Sequence, residues 1–600
     1  MKLLTSNDLA KAVNLNIPGG SLIAGALMQL FRYNKVNKVY SSVLERDPLG
    51  LVTSLLNQLE IRFEVSEEDL KNIPETGSFI SVSNHPYGGI DALILVKILY
   101  EKRTDLKVMA NFLLQRIEPI KDIVLPVNPF ESHKQAKSSF SGIKEGLFHL
   151  KEGHCVSIFP AGEVSTFQED SNVILDREWN ESALKFIKKA EVPVVPIYFH
   201  GTNSRFFHIL GKIHPLLRTA KLPSELFNKK NKPIVVRIGK PIPVRDQANF
   251  RDIARYGRYL RAKTYSLGTT LEARKFYFKF LIKRPARKPK AEPVVEAIPD
   301  GVLKKEFEMV KCEHELFESK NYSVICAPTH RIPNIFNEIG RLRELTFRQV
   351  GEGTGKSIDI DEYDFYYHHL IIWDNDENKI VGAYRIGKGK EILNQYGVKG
   401  FYINSLFKIR KDFTPVLADS LELGRSFITP EYQRKALPLF LLWKGILYFL
   451  LKNAEYRYLI GPVSISNDMS KFSKTLIVDF VKTCVYNAEL AKYIEPRKDF
   501  VVRPDKMVDR EIIIDNSEMD INKLERMLRD IEPGYRLPVL LKKYIELNAS
   551  IIGFNIDPKF NDCLDGLIIL DLYDVPPDFL KALSKEFNDT SVMERFGFLG

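Results

Sequence analysis

Short apolar segments alternate with helical patterns between residues 78 and 243, and this alternation constrains the fold more than any other feature of the sequence. Strands that alternate with helices are typical of an α/β domain with a substantially parallel sheet. The predicted strands are 79–82, 154–159, 194–199 and 234–238. In open sheets of this kind, ligands bind beyond the carboxyl ends of the strands. The alternation therefore also predicts where a ligand site lies.

The segment from Ser81 to Asp91 places a histidine and a carboxylate at such a strand end. His85 falls on the loop after the first predicted strand, and Asp91 falls in the first turn of the following helix. Gly88 and Gly89 allow a sharp bend and a close approach of backbone N–H groups to a ligand, and a helix N-terminus favours negative charge. An isolated pair of this kind has two interpretations, a catalytic base with its orienting acid or a core histidine beside a helix-start aspartate.

Four blocks of sequence, in this order, resemble the motifs of the glycerolipid acyltransferase family that includes lysophosphatidate acyltransferases, and within it the hemolysin-like branch. The blocks are Asn84–Asp91, Phe159–Ser165, Val195–Phe199 and Arg237–Ile242. The resemblance covers about residues 75–243 and implies that His85 and Asp91 are catalytic. The substrate-binding residues that it implies are Phe159, Gly162, Glu163, Ser165 and Pro196.

The sequence departs from the family pattern in three places. Five residues separate His85 from Asp91 where the wider family has four, a spacing that the hemolysin-like branch tolerates. Glu163 is displaced relative to the carboxylate of the family's Phe-Pro-Glu-Gly motif, so the carboxylate that contacts the acceptor stays open. The arginine-bearing second motif is poorly matched, and Val127–Glu131 is its nearest candidate.

The chemistry that the resemblance implies agrees with the residues. An alcohol is too weak an acid to attack a thioester unaided at neutral pH, and a positioned imidazole can take its proton during the attack. His85 fits that role, and Asp91 would hold the imidazole tautomer and stabilise the imidazolium. Backbone N–H groups of the glycine-rich loop could stabilise the developing oxyanion.

Length and composition bound the class of protein. Six hundred residues with 44% hydrophobic content exceed one ordinary domain, so two or more cores are expected. The five cysteines form no CxxC pair, which fits a reducing compartment and argues against a disulfide framework or a zinc ribbon. No signal peptide is visible, and no apolar run reaches the roughly 18 to 20 residues that span a bilayer. The net charge of +11 favours anionic partners.

Two stretches outside the strand pattern are amphipathic or basic. In the lead-in, Ile23–Arg32 could lie on a membrane or pack on the domain that follows. Residues 251–290 combine arginines and lysines with aromatic residues, which suits either an anionic lipid surface or a solvated helix and tether. Residues 285–299 have the composition of a linker.

The predicted divisions of the chain are a helical lead-in (1–75), a lysophospholipid acyltransferase-like domain (76–245), a basic helical segment with the linker (246–304) and a second domain (305–600).

The second half has its own pattern of strands and helices. Residues 364–374 and 379–385 are predicted strands joined by a turn at 375–378. The predicted helices are 333–349, 433–452 and 537–547.

Seven residues of this half recur at a distinctive spacing: Arg343, Phe347, Asp361, Asp364, Arg385, Glu422 and Arg425. Their spacing is similar to that of autoinducer synthases. Together with the segments 421–427, 461–464 and 534–544, the whole half more closely resembles the ornithine N-acyltransferase family. The resemblance implies an acetyltransferase-like α/β fold that takes acyl chains from acyl carrier protein. It also implies that Glu422 is catalytic and that the other six bind substrate. The Asp and Arg residues could equally form a structural ion-pair network.

The fusion of these two domains in this order resembles the bifunctional ornithine-lipid synthases. The resemblance implies that the C-terminal domain N-acylates ornithine or a similar amino acid with a 3-hydroxyacyl group. The N-terminal domain then O-acylates the new hydroxyl. We expect acyl carrier protein or coenzyme A thioester as co-substrate, no other cofactor, no metal, and a cytoplasmic location on the inner face of the cell membrane with an anionic membrane surface as partner.

Two alternatives remain from the sequence. The chain could be a lysophospholipid acyltransferase of the 1-acylglycerol-3-phosphate type with a non-catalytic C-terminal domain. The basic charge could instead mark a nucleic-acid-binding protein, but the aromatic and basic residues cluster in the connector and form no recognisable nucleic-acid-reading module. We therefore expect no nucleic-acid partner.

Overall fold

The computed structural model describes residues 24–587 and 594, with gaps. The gaps are residues 27, 30, 32, 44, 46, 128–136, 169–172, 231–232, 272–290, 503–507, 510–511 and 514–519. The described residues form two compact units. The first takes its residues from Met1–Phe276, Pro504–Asp520 and Arg529–Pro533, and the second from Tyr277–Arg503, Ile521–Leu528 and Gly534–Gly600. The second-motif candidate at 127–131 falls mostly, and the basic stretch beyond 271 wholly, in the gaps. Of the lead-in helix predicted at 23–32, the structure describes residues 24–26, 28, 29 and 31, and Ala24 and Phe31 are buried.

The first unit contains a seven-stranded sheet of order β1-β9-β8-β2-β5-β3-β4. Every neighbouring pair is parallel except β8 with β9. The strands are β1 (Arg62–Glu64), β2 (Phe79–Ser83), β3 (Lys107–Asn111), β4 (Val124–Val127), β5 (Cys155–Ile158), β8 (Val194–Phe199) and β9 (Pro233–Ile238), and a separate hairpin joins β6 (Thr166–Gln168) to β7 (Val173–Leu175). The four strands predicted from the sequence are β2, β5, β8 and β9, so the prediction of a substantially parallel α/β domain is confirmed.

Helices surround this sheet and connect its strands. They are α1 (Tyr33–Ser41), α2 (Pro48–Gln58), α3 (Glu67–Leu70), α4 (Gly89–Tyr100), α5 (Lys137–Lys151), α6 (Glu181–Ala190), α7 (Arg205–Ile213), α8 (Pro215–Glu225), α9 (Val244–Ala248) and α10 (Ile253–Ser266). Strand β2 lies near the middle of the sheet and all five of its residues are buried, as expected for a continuous apolar run covered on both faces. The core packs α4 and β8 around it.

Helix α10 begins the basic stretch, and its aromatic residues face inward. Tyr256, Tyr259 and Tyr265 are buried, whereas Arg255 and Arg258 are exposed. In the described part of the stretch, the tyrosines are therefore core residues of the first unit and not a lipid-facing stripe.

The second unit contains an eight-stranded sheet of order β10-β11-β12-β13-β15-β16-β19-β18. Neighbouring strands are antiparallel except β15 with β16, which pair in parallel over three residues. The strands are β10 (Glu315–Ser319), β11 (Tyr322–Pro328), β12 (His368–Asp374), β13 (Lys379–Lys388), β15 (Ser420–Ile428), β16 (Tyr458–Ile465), β18 (Ser550–Asp557) and β19 (Cys563–Asp571), while β14 (Phe407–Ile409) pairs with β17 (Ile494–Pro496). Two hydrophobic clusters form its core, one around Trp373 and one around Phe407.

The helices after residue 299 continue the numbering. They are α11 (Asp300–His314), α12 (Pro333–Gln349), α13 (Gly389–Tyr396), α14 (Ile403–Leu406), α15 (Thr414–Ala418), α16 (Ala436–Lys452), α17 (Lys471–Cys484), α18 (Ala488–Ala491), α19 (Ile521–Ile531), α20 (Val539–Glu546) and α21 (Pro577–Phe587). The three predicted helices correspond to α12, α16 and α20. The mixed α/β class predicted for this half is confirmed.

One predicted strand boundary is wrong. The strand expected to begin at Asp364 begins at His368, and Asp364 lies in a short 3₁₀ helix, Glu362–Phe365. The side chain of Asp361 accepts hydrogen bonds from the N–H groups of Tyr363 and Asp364, and the Asp364 carboxylate accepts one from Asp361 N–H. These reciprocal bonds favour a helical turn over an extended strand. Among the described residues, no helix combines the length and apolar character needed to cross a bilayer.

Candidate active sites

The loop that carries His85 is fixed at the carboxyl end of β2. Asn84, just before it, donates to the carbonyl of Phe199 at 3.0 Å and accepts from the N–H of the same residue at 2.7 Å. Since Phe199 ends the neighbouring strand β8, the amide ties the two strand ends together. Gly88 has φ +85° and precedes α4, so the chain turns sharply from loop to helix as the sequence predicted.

His85 and Asp91 lie together. Nδ1 of His85 is 3.2 Å from Oδ1 of Asp91, and the imidazole remains 17% exposed while the carboxylate is fully buried. Asp91 also accepts backbone hydrogen bonds from Tyr87 at 2.9 Å, Gly88 at 3.2 Å and Ala92 at 2.9 Å. Asp91 is therefore rigidly held, and the imidazole nitrogen that faces it is Nδ1.

The same hydrogen bonds bear on the predicted oxyanion donors. The N–H groups of Tyr87 and Gly88 are both engaged by Asp91, so these two donors orient the acid instead of facing a substrate. The local glycines thus act mainly by shaping the turn.

Two opposing effects set the protonation of His85. Burial alone would lower its pKa, but the charge and hydrogen bond of Asp91, together with the charge of Asp176, more than offset burial and raise the pKa above its ordinary value. A histidine with this environment is a stronger proton acceptor than a free imidazole.

Asp176 is a site residue that sequence reasoning missed. Its Oδ1 accepts from the backbone N–H of His85 at 3.2 Å and from Oγ of Ser165 at 2.6 Å, and Nε1 of Trp179 lies 3.4 Å from Oδ2. Burial raises the pKa of Asp176, although these hydrogen bonds work in the other direction. Asp176 stands directly after β7, outside all the recognised blocks, so no motif could have indicated it.

The substrate-binding residues predicted for the first unit divide into two groups. The ring of Phe159 packs on His85 with centroids 4.1 Å apart, and Ser165 N–H donates to the His85 carbonyl at 2.9 Å. Gly162, at φ +68°, forms the turn between them, and an added Cβ there would meet no atom within 4 Å. Pro196, in contrast, is a buried residue inside β8 and pairs with Val82 of β2.

Glu163 lies at the rim of this site between two arginines. Its Oε2 is 2.7 Å from Nη2 of Arg218, and its Oε1 is 3.3 Å from Nε of Arg177. The negative charge of Glu163 is therefore already balanced by these two arginines. Its position favours a role in holding the arginines over direct contact with an acceptor hydroxyl.

Glu422 lies inside β15 of the second unit. It is buried, and its carboxylate accepts hydrogen bonds from Tyr367 Oη, from Ile403 N–H at 2.7 Å and from Tyr402 N–H at 3.1 Å. Burial raises the pKa of Glu422 to about 7, against the opposing effect of the hydrogen bonds and of Arg385. A carboxylate with this pKa can exchange a proton near neutral pH.

A β-bulge brings Arg425 to the same side of the sheet as Glu422. On a regular strand, residues three apart point to opposite faces. Between Gly424 and Phe427 the pairing of β15 with β13 shifts register, and Arg425 adopts φ +55°. The guanidinium of Arg425 then lies 5.0 Å from the centroid of the Tyr402 ring. The backbone N–H of Tyr402 donates to Glu422, so both side chains meet the same residue.

The predicted Arg and Asp residues form one buried ion-pair network. Arg343 contacts Asp364 at 2.8 Å, Arg385 contacts Asp361 at 2.6 Å and Asp364 at 3.1 Å, and Arg425 contacts Asp361 at 3.3 Å. Asp359, which the sequence analysis missed, joins Arg343 and Arg425 at 3.2 and 3.3 Å. Burial opposes the ionisation of Asp364, but Arg343 and Arg385 hold its pKa well below the ordinary value.

Arg385 differs from the other arginines because half of its guanidinium is unused. Its Nη1 makes both carboxylate contacts, while Nε and Nη2 are buried with no hydrogen-bond partner among the described residues. These two nitrogens face Gly424, where an added Cβ would lie 3.8 Å from each. Nε and Nη2 form the fork that binds a carboxylate through two parallel hydrogen bonds.

Tyrosine rings close the space around this fork. The Arg385 guanidinium lies 5.1 to 5.8 Å from the ring centroids of Tyr363, Tyr367 and Tyr402. Phe347, also predicted to bind substrate, packs instead against the hydrophobic cluster around Trp373. The structure thus brings Arg343, Asp361, Asp364, Arg385, Glu422 and Arg425 together and leaves Phe347 in the core.

One group of described residues could hold a metal ion. Ligand atoms of His149, Glu152 and His154 lie within 4.8 Å of one another. They stand at the opposite end of β5 from Phe159, and both imidazoles already bond to Asp105. This group is remote from His85, so we assign it no part in the chemistry.

Two family models match the chain, one in each half. A model described as Acyltransferase matches residues 8–274, and a model described as Acetyltransferase (GNAT) domain matches residues 342–443. The first match spans His85, Asp91 and Asp176. The second spans the ion-pair network and Glu422.

Similar proteins fall into two classes. A glycine N(alpha)-acyltransferase of Phocaeicola vulgatus is 28% identical over 302 residues, which cover 48% of this chain and 91% of the relative. A lyso-glycine lipid O-acyltransferase of Bacteroides thetaiotaomicron is 27% identical over 254 residues, which cover 41% of this chain and 89% of the relative. Each relative is matched over nearly its whole length by less than half of this chain. The chain is therefore an acyltransferase, with a match to the Acyltransferase family model in its N-terminal half and a match to the acetyltransferase (GNAT) domain model in its C-terminal half.

Proposed function

We propose that this chain is a bifunctional aminolipid synthase. The second unit N-acylates an amino acid with a 3-hydroxyacyl group, and the first unit then O-acylates the hydroxyl of that product. The observation that carries the proposal is the presence of two separate groups suited to accept a proton, His85 paired with Asp91 in one unit and the buried Glu422 in the other. The two classes of relative support it, because one is named for N-acylation of glycine and the other for O-acylation of a lyso-glycine lipid, and their shares of the chain, 48% and 41%, leave room for both.

In the first unit, His85 acts on the hydroxyl of the acyl acceptor. Nε2 takes the hydroxyl proton as the oxygen attacks the thioester carbonyl, and Asp91 stabilises the imidazolium that forms. His85 then returns the proton to the leaving thiolate. Phe159, whose ring packs against the imidazole at a tilt of 35°, limits the rotation of the ring.

In the second unit, Glu422 and Arg385 bind opposite ends of an amino acid. The unused fork of Arg385 receives the α-carboxylate, and Glu422 accepts a proton from the ammonium group, directly or through water. The free amine then attacks the carbonyl carbon of the acyl thioester, the new C–N bond replaces the C–S bond, and the thiolate leaves as a thiol with the second proton of the amine. A carboxylate at the fork would also satisfy two buried donors that otherwise cost stability.

The amino acid, the donor and the location are the finer parts of the proposal. The relatives named for glycine favour glycine, whereas the resemblance to ornithine-lipid synthases favoured ornithine. Acyl carrier protein is the proposed donor, with coenzyme A thioester as the other thioester that the chemistry allows. We place the protein on the inner face of the cell membrane, where its lipid products belong.

The test is to express the full chain in a host that lacks aminolipids and to analyse the lipids by mass spectrometry. We expect a diacylated aminolipid, and labelled glycine or labelled ornithine in the medium identifies the head group. His85→Ala should accumulate the mono-acylated lipid. Glu422→Ala should make neither lipid, yet should O-acylate a synthetic mono-acylated lipid that is supplied.

His154→Ala is a matched control, because His154 also pairs with an aspartate, Asp105 at 3.0 Å, but at the far end of β5. It should leave both products unchanged. If the wild-type chain makes no aminolipid and instead acylates lysophospholipid, the alternative of an acyltransferase with a non-catalytic second unit is correct.

A further inference from the structure

Helix α7 (Arg205–Ile213) exposes a continuous apolar face. Phe206, Ile209 and Ile213 are 53%, 54% and 67% exposed. Their spacing of three and four residues places them on one side of the helix within one stripe. Single exposed apolar residues are common on protein surfaces, but three large ones aligned on one helix mark an interaction surface.

The rest of α7 is firmly anchored in the first unit. Phe207 and Leu210 are buried, and Leu210 belongs to a small cluster with Phe31 and Ala220. The helix is capped by Ser204, whose Oγ accepts from Phe207 N–H at 3.2 Å. The helix therefore presents its apolar stripe as a fixed surface, and the stripe does not belong to the core.

Cationic side chains border the stripe. Arg205 and Lys212 are exposed and lie on the same side of the helix, two turns apart, with Ile209 between them. Lys212 Nζ lies 3.8 Å from the ring centroid of Phe167, and Lys221 Nζ lies 6.0 Å from that of Phe206. An apolar stripe with a basic border is the pattern of a helix that lies in the interface of an anionic bilayer.

The position of α7 relates this surface to the first site. The helix starts after a short loop that follows β8, the strand next to β2. Because β8 and β2 are parallel, the N-terminus of the helix lies at the same end of the sheet as His85. Within that loop, the carbonyl of His200 accepts from Tyr87 Oη at 2.7 Å, and Tyr87 is two residues from His85. A lipid bound along α7 would thus begin near the His85 loop.

We propose that the α7 face, defined by Phe206, Ile209 and Ile213 with Arg205 and Lys212, docks the protein on an anionic lipid bilayer. The apolar side chains enter the acyl region while the cations meet the headgroups. A protein partner is the other occupant of such a face, but the basic border selects the anionic lipid surface. Binding to vesicles requires neither acyl transfer reaction, so this inference stands or falls separately from the proposed function.

The test is flotation of the full chain with vesicles of phosphatidylcholine containing phosphatidylglycerol. Wild type should float, and the double variant Phe206→Glu, Ile209→Glu should partition roughly tenfold or more weakly, because two acidic groups replace apolar ones in the interface. Phe148→Glu is the matched control, because Phe148 is 61% exposed but lies on a different helix, α5. This variant should float as wild type does. Arg205→Gln with Lys212→Gln should weaken binding at low salt and reduce its salt dependence.

A second measurement does not depend on destabilising changes. Ile209→Trp keeps the face apolar, and the chain's own tryptophans, Trp179, Trp373 and Trp443, are buried. Vesicles of the same composition should shift the emission of the introduced tryptophan to shorter wavelength, and brominated lipids should quench it. The inference is overturned if the double variant floats like wild type, if Phe148→Glu weakens flotation equally, or if the Ile209→Trp emission ignores the vesicles.

Discussion

The pH dependence of N-acylation should report the titration of Glu422. Burial raises its pKa from an ordinary 4.5 to about 7, and the difference, at about 1.4 kcal/mol per pH unit, is about 3 kcal/mol against ionisation. If the ionised carboxylate is the base, the rate follows its ionised fraction, about nine tenths at pH 8 and about one hundredth at pH 5. We therefore expect the rate of N-acylation to fall roughly a hundredfold between these pH values.

The substituted chain supplies the reference. In Glu422→Gln the general base is lost, and we expect the rate at pH 8 to fall by roughly 10²- to 10⁴-fold. The amino acid's own ammonium also titrates in the alkaline range, so the ratio of wild-type to variant rates at each pH isolates the carboxylate. That ratio should rise with pH and level off above about pH 7. Steady-state N-acylation by the purified full chain, with excess thioester, measures it.

The pH dependence of the protein's stability provides a second test of the raised pKa of Glu422, and the direction of the expected change is defined. Because the folded state holds the Glu422 proton more tightly than the unfolded state, ionisation of Glu422 costs stability as the pH rises from about 4.5 to about 7. The melting temperature of the second unit should therefore fall less with rising pH in Glu422→Gln than in wild type. A ratio of rates that is independent of pH, or a folded Glu422→Gln with the wild-type rate at pH 8, would refute Glu422 as the base. Glu344→Gln, at a buried glutamate outside the ion-pair network, controls for the loss of a buried carboxylate.

Three further predictions concern the geometry of the two sites. Asp91→Asn removes the charge that raises the pKa of His85, so O-acylation should fall by roughly 10²-fold or more, and the acid limb of its pH profile should move to lower pH in rate assays. Gly424→Ala places a methyl group 3.8 Å from the Arg385 fork, and kinetics should show a raised KM for the amino acid with an unchanged melting temperature. Gly201→Ala forces φ +124° on a residue with a side chain and drives its Cβ into Tyr87 Oη, so calorimetry should show a loss of about 1 to 3 kcal/mol in stability and assays a loss of O-acylation alone.

Features that are local in sequence were predictable, and features made by distant contacts were not. The strand β2, the loop and the start of α4 are consecutive, so their periodicity and glycines predicted the loop position of His85 and the position of Asp91 in the first helical turn, where the structure has them. Asp176, directly after the β6–β7 hairpin, reaches His85 only through tertiary packing across 91 residues of sequence, a contact that no spacing encodes. The resemblance to known families contributed Arg343, Asp361 and Arg425, but it did not indicate Asp359.

The backbone conformation of the second site was likewise not predictable from the sequence. The sequence indicated that Glu422 and Arg425 serve one site, yet three-residue spacing on a strand points them apart. Only the register shift at Gly424 reconciles the two, and a bulge depends on the partner strand β13 as much as on β15. The unused Nε and Nη2 of Arg385 likewise became visible only from the positions of Asp361 and Asp364.

The two candidate sites differ in how they are assembled, and this difference sets how each responds to partial unfolding. His85 and Asp91 belong to one loop and the helix it opens into, so the pair persists as long as the end of β2 stays in place. The ion-pair network joins α12, the turn before β12, β13 and β15 through shared carboxylates. Local opening of any one of these elements leaves buried charges unpaired on the others, so the network is lost as a unit. Under mild denaturation, acylation of the amine should therefore be lost in a single cooperative step. Acylation of the alcohol should be lost only as the first unit itself unfolds.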